Sequence, residues 1–94
     1  TPESYLAAVA WALDGDSLIS DDAVIINSDI GENVHVMDGA RIVDSTLSNT
    51  VVFGNATVLD CEIHDSIIDE ETKVEDIDLA GALIGAHSQI GNTE

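Results

Sequence analysis

Basic and aromatic residues are scarce in this chain of 94 residues. Lys and Arg together number 2 against 19 Asp and Glu, the formal net charge is -17, and aromatic residues make up 3%. Nucleic acids and anionic membrane surfaces are bound by clustered Lys and Arg, so neither is an expected partner. The mean hydropathy of +0.17 also argues against disorder, because acidic chains stay unfolded only when apolar residues are few as well.

Cysteines and long apolar runs are also lacking. The single cysteine, Cys61, has no partner for an intrachain disulfide and belongs to no Cys-Xaa-Xaa-Cys motif, so a reducing cytoplasm is the expected location. No segment has the ~18 apolar residues of a membrane span, and no signal peptide is recognisable. The chain begins at Thr1 and its only Met is Met37. We therefore expect it to be a fragment of a longer protein.

Residues 1–15 have the features of one helix. Thr1 is a suitable N-cap, Pro2 a favoured first helical residue, and Gly15 a typical helix stop. One face of this helix is apolar and carries Leu6, Val9, Ala10 and Leu13. Because an isolated helix of three to four turns is marginal in water, this face needs a surface to pack on.

Residues 18–94 contain a repeat of sixteen residues. Aliphatic residues recur from Val36 to Ile90 at spacings of 6, 5 and 5, and an earlier coil from Ile19 fits if one residue is inserted near His35. Side chains two apart share a strand face, so each coil consists of three short strands and three corners. The corners are rich in Asn, Asp and Gly, which tolerate left-handed backbone.

This pattern predicts an all-β fold with parallel strands, preceded by one N-terminal α-helix. Hexapeptide-like units at 30–35 and 84–89 resemble those of the single-stranded left-handed parallel β-helix, here with 16-residue coils. A sandwich of alternating strands is the alternative.

The outward residues distinguish the three sides of the predicted prism. Arg41 and Lys73 share one outward column, where they frame a possible anion contact, although pairing with carboxylates is the more ordinary role. Another side is apolar and needs a cover, either the N-terminal helix or another subunit. We expect a homo-oligomer. Its predicted interface comprises Val34, Val51, Ile67, Leu83, Met37 and Phe53.

Histidine supplies the candidates for chemistry. His35, His64 and His87 fall at different corners, so they do not converge within one chain, and no spacing predicts the three ligands of a zinc site. His35 and His87 are the catalytic candidates, as general bases. A column of Asp44, Asp60 and Asp76 at one corner fits solvated turn residues better than a cation site. We predict no metal site.

A family resemblance adds a function. Residues 1–6, Thr-Pro-Glu-Ser-Tyr-Leu, a short helix, and the units Ser66-Ile67-Ile68 and Leu83-Ile84-Gly85 resemble the C-terminal part of sugar-1-phosphate nucleotidyltransferases. The similar types are glucose-1-phosphate thymidylyltransferase and mannose-1-phosphate guanylyltransferase. The resemblance implies a catalytic domain upstream that uses magnesium, and it makes residues 1–15 the helix that links this domain to the β-helix. It implies for this chain an oligomerisation or regulatory role, with no cofactor and no catalytic residue of its own.

The alternative function is acyl transfer from acetyl-CoA to an amino sugar, which some β-helix domains appended to nucleotidyltransferases perform. Such a site needs a His base and cationic contacts to the CoA phosphates. The scarcity of Lys and Arg argues against it. The acidity itself resembles that of proteins from a salt-rich cytoplasm, so a halophilic source is expected, with a fold that loosens at low ionic strength.

Overall fold

A computed structural model describes residues 2–91. The predicted N-cap, Thr1, and the last three residues of the predicted β-helix lie outside this range. The helix α1 spans Pro2–Leu13. It ends where Asp14 and Gly15 adopt left-handed backbone, with φ of 49° and 88°, and the Asp14 amide still donates to the Ala10 carbonyl at 2.8 Å. The predicted stop at Gly15 is thereby confirmed.

Fourteen short strands follow α1 in the described part of the chain. They are β1 (Leu18–Ile19), β2 (Val24–Ile26), β3 (Asp29–Ile30), β4 (His35–Val36), β5 (Arg41–Val43), β6 (Thr46–Ser48), β7 (Val51–Val52), β8 (Thr57–Leu59), β9 (Glu62–His64), β10 (Ile67–Ile68), β11 (Lys73–Glu75), β12 (Asp78–Ala80), β13 (Leu83–Ile84) and β14 (Gln89–Gly91). Each has two or three residues, because a corner follows after every in-out-in alternation.

Every third strand pairs in parallel, which produces three flat sides. Sheet A has the order β1-β4-β7-β10-β13, sheet B the order β2-β5-β8-β11-β14, and sheet C the order β3-β6-β9-β12. Val51, Ile67 and Leu83 are partners in adjacent strands of sheet A, sixteen residues apart each time. The predicted left-handed parallel β-helix with 16-residue coils is confirmed.

The first coil is one residue longer than the others, but the extra residue does not lie at His35. Ile30 pairs with Leu47, seventeen residues on, whereas His35 pairs with Val51, sixteen residues on. Asn33 and Asn49, sixteen residues apart, both have left-handed backbone, with φ of 57° and 48°. The extra residue therefore precedes Asn33 and lies within Gly31–Glu32. The predicted position of the insertion was therefore wrong.

This shift exchanges the two faces at the following strand, because a slip of one residue reverses inside and outside. Val34 was expected outward, in the apolar interface, but it is 0% exposed and packs in the core. His35 instead takes the outward place in line with Val51. The placement of Val34 in an oligomer interface was wrong for this reason.

The core is a set of stacked aliphatic columns along the axis of the prism. Its buried members are Val34, Val36, Ala40, Ile42, Leu47, Val52, Ala56, Val58, Cys61, Ile63, Ile68, Val74 and Ile84. Buried hydroxyl groups also point inward, and each donates to a carbonyl. Thr50 Oγ1 donates to the Ser48 carbonyl at 2.7 Å, and Ser66 Oγ to the His64 carbonyl at 2.8 Å. These bonds offset the cost of removing the hydroxyl groups from water.

The corners have the left-handed backbone that their residues predict. Asp44, Asp60 and Asp76 have φ of 52°, 56° and 55°. Glu71 and His87 occupy the equivalent place at another corner, with φ of 53° and 59°. Glutamate and histidine are less suited to this conformation than asparagine or glycine. That corner therefore carries avoidable backbone strain.

Replacing Glu71 with asparagine should relieve part of this strain. Because left-handed backbone costs an ordinary residue roughly 1 kcal/mol more than asparagine or glycine, we expect Glu71→Asn to raise Tm by about 4–8 °C. Glu70→Asn is the matched control, since it removes the same charge from the neighbouring exposed residue, whose φ is not positive. Thermal unfolding followed by circular dichroism measures both. An equal shift in the two variants would attribute the gain to charge and contradict the strain argument.

Candidate functional site

The first candidate site is a pocket beside His35 on sheet A. His35 is half-buried and lies between Leu18 of β1 and Val51 of β7. The pocket has a volume of about 480 Å³ and is lined by Leu18, Ser20, His35, Val36, Met37, Asp38 and Gly54. Within it the Ser20 hydroxyl donates to the Asp38 carboxylate. An imidazole on an apolar wall, next to a few polar groups, can take a proton from a bound acceptor.

The second predicted base, His87, has a different environment. Its Nδ1 lies 3.1 Å from Glu71 Oε1, and the two side chains are 67% and 51% exposed. A contact between two side chains this exposed contributes little to stability. His87 follows β13, three strand spacings from β4 in sheet A, roughly 14 Å. The structure therefore keeps His35 and His87 apart. This agrees with the sequence, which predicts that the two residues do not converge within one chain.

The predicted apolar interface lies on sheet A, and α1 covers its centre. Leu6 of α1 packs on Val51 and Ile67, and all three are at most 7% exposed. Met37 and Phe53 are partly buried against this cluster. Of the two expected covers, the helix is thus the one that contacts Val51 and Ile67 within this chain.

Several apolar side chains around α1 stay exposed. Leu83 is 58% exposed, Leu18 is 53% exposed and Trp11 is 86% exposed. Tyr5 of α1 is 39% exposed, and its ring stacks on that of Phe53 with 6.2 Å between centroids. Association of copies through this surface stays a prediction, in which Leu83 and Trp11 are the accessible contacts.

The two basic residues lie where the repeat places them. Arg41 and Lys73 both pair with Thr57 between them in sheet B, so they occupy one outward column two coils apart. Lys73 Nζ lies 3.7 Å from Glu75 Oε1. Lys73 therefore has the ordinary role of pairing with a carboxylate. A combined anion contact with Arg41 stays a prediction.

A third constellation was missed by sequence reasoning. The Ser48 hydroxyl is hydrogen-bonded to His64 Nδ1, and His64 Nε2 lies 3.3 Å from Glu62 Oε1. From the sequence alone, His64 is expected to be a turn residue that does not converge with the other two histidines. The signal was available, because Ser48 and His64 are sixteen residues apart, which places them side by side on adjacent coils.

Cys61 is a core residue, as predicted. It is 5% exposed, and its thiol donates to the Leu59 carbonyl at 3.1 Å. Burial raises the pKa of the Cys61 thiol, and the nearby charge of Asp60 acts in the same direction. A thiol with a raised pKa has little of the reactive thiolate form at neutral pH.

Neither a cluster of metal ligands nor a membrane-spanning helix occurs in residues 2–91. Within this range no group of three or more His, Cys, Asp or Glu side chains is placed to hold a metal ion. No helix in the same range is long and apolar enough to cross a membrane. In the Asp column, Asp44 Oδ1 accepts from Asn27 Nδ2 at 2.6 Å, so this carboxylate bonds to the neighbouring coil.

The fold and these surfaces define the chain as a left-handed parallel β-helix protein of the hexapeptide-repeat type with one helix docked on its side. No protein-family model and no curated protein matches the sequence. Among solved structures, the chain is similar to one described as a "putative acetyltransferase" from Desulfovibrio desulfuricans G20, with a TM-score of 0.57 and 18% identity. The match covers 83% of this chain and 20% of that one. At this identity the similarity shows the fold alone.

Proposed function

We propose that this chain is the structural β-helix module of a larger sugar-1-phosphate nucleotidyltransferase. The observation that carries the proposal is the docking of α1, whose Leu6 is buried against Val51 and Ile67 of sheet A. Residues 1–6, which carry the family resemblance, belong to or adjoin this helix. This contact holds the segment that carries the resemblance against the side of the prism. The solved neighbour supports the fold of this module and not this reaction.

The net charge supports the proposal that the phosphate-containing substrates bind to another domain and not to this module. Nucleoside triphosphates and sugar phosphates are bound by cations, and this chain has 2 basic residues against 19 acidic ones. Triphosphate chemistry belongs, in this proposal, to an upstream domain that holds magnesium. The module acts by fixing the position of that domain and by assembling copies through the exposed surface around α1.

The test uses the gene product at its full genomic length. We expect it to form nucleotide-sugar from a nucleoside triphosphate and a sugar 1-phosphate with magnesium, and residues 1–94 alone to form none. Leu6→Asp should undock α1, because it places a charge in a buried apolar contact. Ala8→Asp is the matched control, since Ala8 is exposed on the same helix.

The readouts separate docking from catalysis. In residues 1–94, hydrogen exchange of the α1 amides should accelerate at least tenfold in Leu6→Asp and stay unchanged in Ala8→Asp. In the full-length enzyme, Leu6→Asp should lower the activity or the oligomeric mass. A full-length product that makes no nucleotide-sugar, or activity in residues 1–94 alone, would contradict the proposal.

Acyl transfer is the second candidate function, and the description of the solved neighbour as a "putative acetyltransferase" agrees with it. His35, in its apolar pocket, is the residue placed to take a proton from the amino group of an acceptor. The nitrogen then attacks the thioester carbonyl of acetyl-CoA, the C–S bond breaks, and the thiol leaves with a proton. The net charge of -17 opposes the binding of CoA phosphates.

A thiol-release assay with acetyl-CoA and a panel of amino-sugar phosphates tests this second candidate. A general base contributes about 10²-fold or more, so His35→Ala should lower turnover by at least that factor. His87→Ala is the control, because His87 lies on another corner and pairs with Glu71. Absence of turnover in the unmodified chain would remove acyl transfer as a function of this module.

A further inference from the structure

On sheet C, the side chains of Ser48, His64 and Glu62 form a chain of hydrogen bonds. Ser48 ends β6 and His64 ends β9, and the two residues are direct partners in the parallel pairing of these strands. The Ser48 hydroxyl is bonded to His64 Nδ1, and His64 Nε2 lies 3.3 Å from Glu62 Oε1. None of the three residues has a part in the functions proposed above.

The order of these groups matches a nucleophile, a base and a group that orients the base. In the tautomer with the proton on Nε2, His64 donates to Glu62, and its Nδ1 can accept the proton of the Ser48 hydroxyl. In the familiar serine triads the carboxylate holds Nδ1 and the serine faces Nε2, so the ring is reversed here. Either nitrogen of a neutral imidazole serves as the base once the other holds the proton. We propose that Ser48 is a nucleophile, activated by His64 and positioned by Glu62, that accepts the acyl group of a small neutral carboxylic ester.

The corner that follows this constellation supplies the surroundings that such a reaction needs. Asn49 and Asp65 come directly after Ser48 and His64 in the chain, and Asn49 Nδ2 donates to Asp65 Oδ1 at 2.6 Å. That bond uses one of the two N–H groups of the amide. The second N–H is not engaged in that bond, and the proposal gives it the role of donor to the oxygen of a tetrahedral intermediate, which asparagine side chains fill in other hydrolases.

The same corner borders an apolar pocket. Asn49 and Asp65 line a pocket of about 330 Å³ whose apolar wall includes Ala7, Ala10 and Leu83. Ser48, His64 and Glu62 do not line this pocket, so an ester at Ser48 is bound on the open face of sheet C beside the corner. Asp65 and Glu3 on the rim of this pocket, together with the net charge of -17, repel anionic esters. His64 is 39% exposed, so a small ester reaches the base without a change in the fold.

The reaction balances with water as the only co-reactant. Ser48 Oγ forms a bond to the carbonyl carbon while its proton passes to His64 Nδ1. The ester C–O bond then breaks, and the leaving alkoxide takes this proton. Water, deprotonated by the same nitrogen, releases the carboxylic acid and restores Ser48.

A chromogenic ester identifies the nucleophile. Residues 1–94 are incubated with p-nitrophenyl acetate, and phenolate release is followed together with intact mass and peptide mapping. We expect one acetyl group on Ser48, and a rate of release about 10²-fold above that of Ser48→Ala and of His64→Gln. Thr46→Ala and His87→Gln are the matched controls, since Thr46 is a hydroxyl residue of the same strand and His87 lies on another corner.

Two outcomes would overturn the proposal. One is acetyl transfer to Lys73 or to the terminal amine with none on Ser48, and the other is an equal rate in Ser48→Ala and Thr46→Ala. Circular dichroism of each variant separates loss of the nucleophile from loss of the fold. The neutral ester should also react faster than the p-nitrophenyl ester of a dicarboxylic acid at low salt. This site is separable from the proposed nucleotidyltransferase function, because its assay needs neither an upstream domain nor magnesium.

Discussion

Ile63→Ala should lower the free energy of unfolding by about 3 kcal/mol, within the range for truncating a buried aliphatic side chain. Ile63 is 0% exposed and stacks in the inward column of sheet C between Leu47 and Leu79. Each coil of a β-helix contacts only its neighbours, so a cavity in a central coil weakens the contacts on both sides. A domain of this length has about 5–14 kcal/mol of stability in total. The substitution therefore removes a substantial part of it.

Leu83→Ala is the control for this loss. Leu83 has the same kind of side chain but points outward from sheet A and is 58% exposed, so we expect a change of about 0.5 kcal/mol or less. Urea unfolding followed by circular dichroism is the suitable measurement, because Trp11 is already 86% exposed and reports little. Equal losses in the two variants would mean that the inward columns are not the source of stability.

Much of this fold follows from the sequence because the repeat combines two independent signals. Inward residues must be aliphatic or small, and corner residues must accept left-handed backbone. Both patterns repeat every sixteen residues, and this shared period gives the length of the coil. Asp44 and Asp60, for example, occupy corners sixteen residues apart with φ of 52° and 56°. This agreement between the two patterns predicts the β-helix from the sequence alone.

The position of the extra residue in the first coil was not predictable in the same way. A corner can take up an additional residue without changing the strands on either side, so the aliphatic pattern records only the total length. Asn33 marks the corner by its conformation, which places the extra residue at Gly31–Glu32. Val34 and His35 are adjacent, so a misplaced insertion exchanges their predicted faces. Val34 is predicted at the surface but lies in the core, and His35 takes the outward position, where it lines a pocket.

The contacts that define the candidate sites depend on side chains from different coils. Leu6 reaches Val51 and Ile67 only through the tertiary docking of α1, which no repeat position encodes. Ser48 and His64 were each visible in the sequence, but their hydrogen bond becomes apparent only when the two columns are read across adjacent strands. Residue pairs one coil apart at outward positions are therefore the places to look for chemistry in this fold.

Lowering the salt concentration should destabilise this protein strongly, and Asp60→Asn should reverse part of the effect. Asp60 is exposed and stands between Asp44 and Asp76 in one corner column. At a strand spacing of about 4.8 Å, each like-charged neighbour costs about 1 kcal/mol in water of low ionic strength. Asparagine keeps the left-handed backbone at little cost and can donate along the column, as Asn27 does to Asp44.

We expect Asp60→Asn to raise Tm by about 5–10 °C at roughly 0.05 M salt and by much less at about 2 M, where the Debye length is below ~3 Å. Asp14→Asn is the matched control, because Asp14 also has left-handed backbone but precedes the first coil and lies outside the column. Differential scanning calorimetry and size-exclusion mass at both salt concentrations measure the effect on the fold and on assembly. Equal Tm and equal mass at the two concentrations in the unmodified chain would contradict adaptation to salt. The charge of -17 would then be a surface property that the aliphatic prism tolerates without the help of counterions.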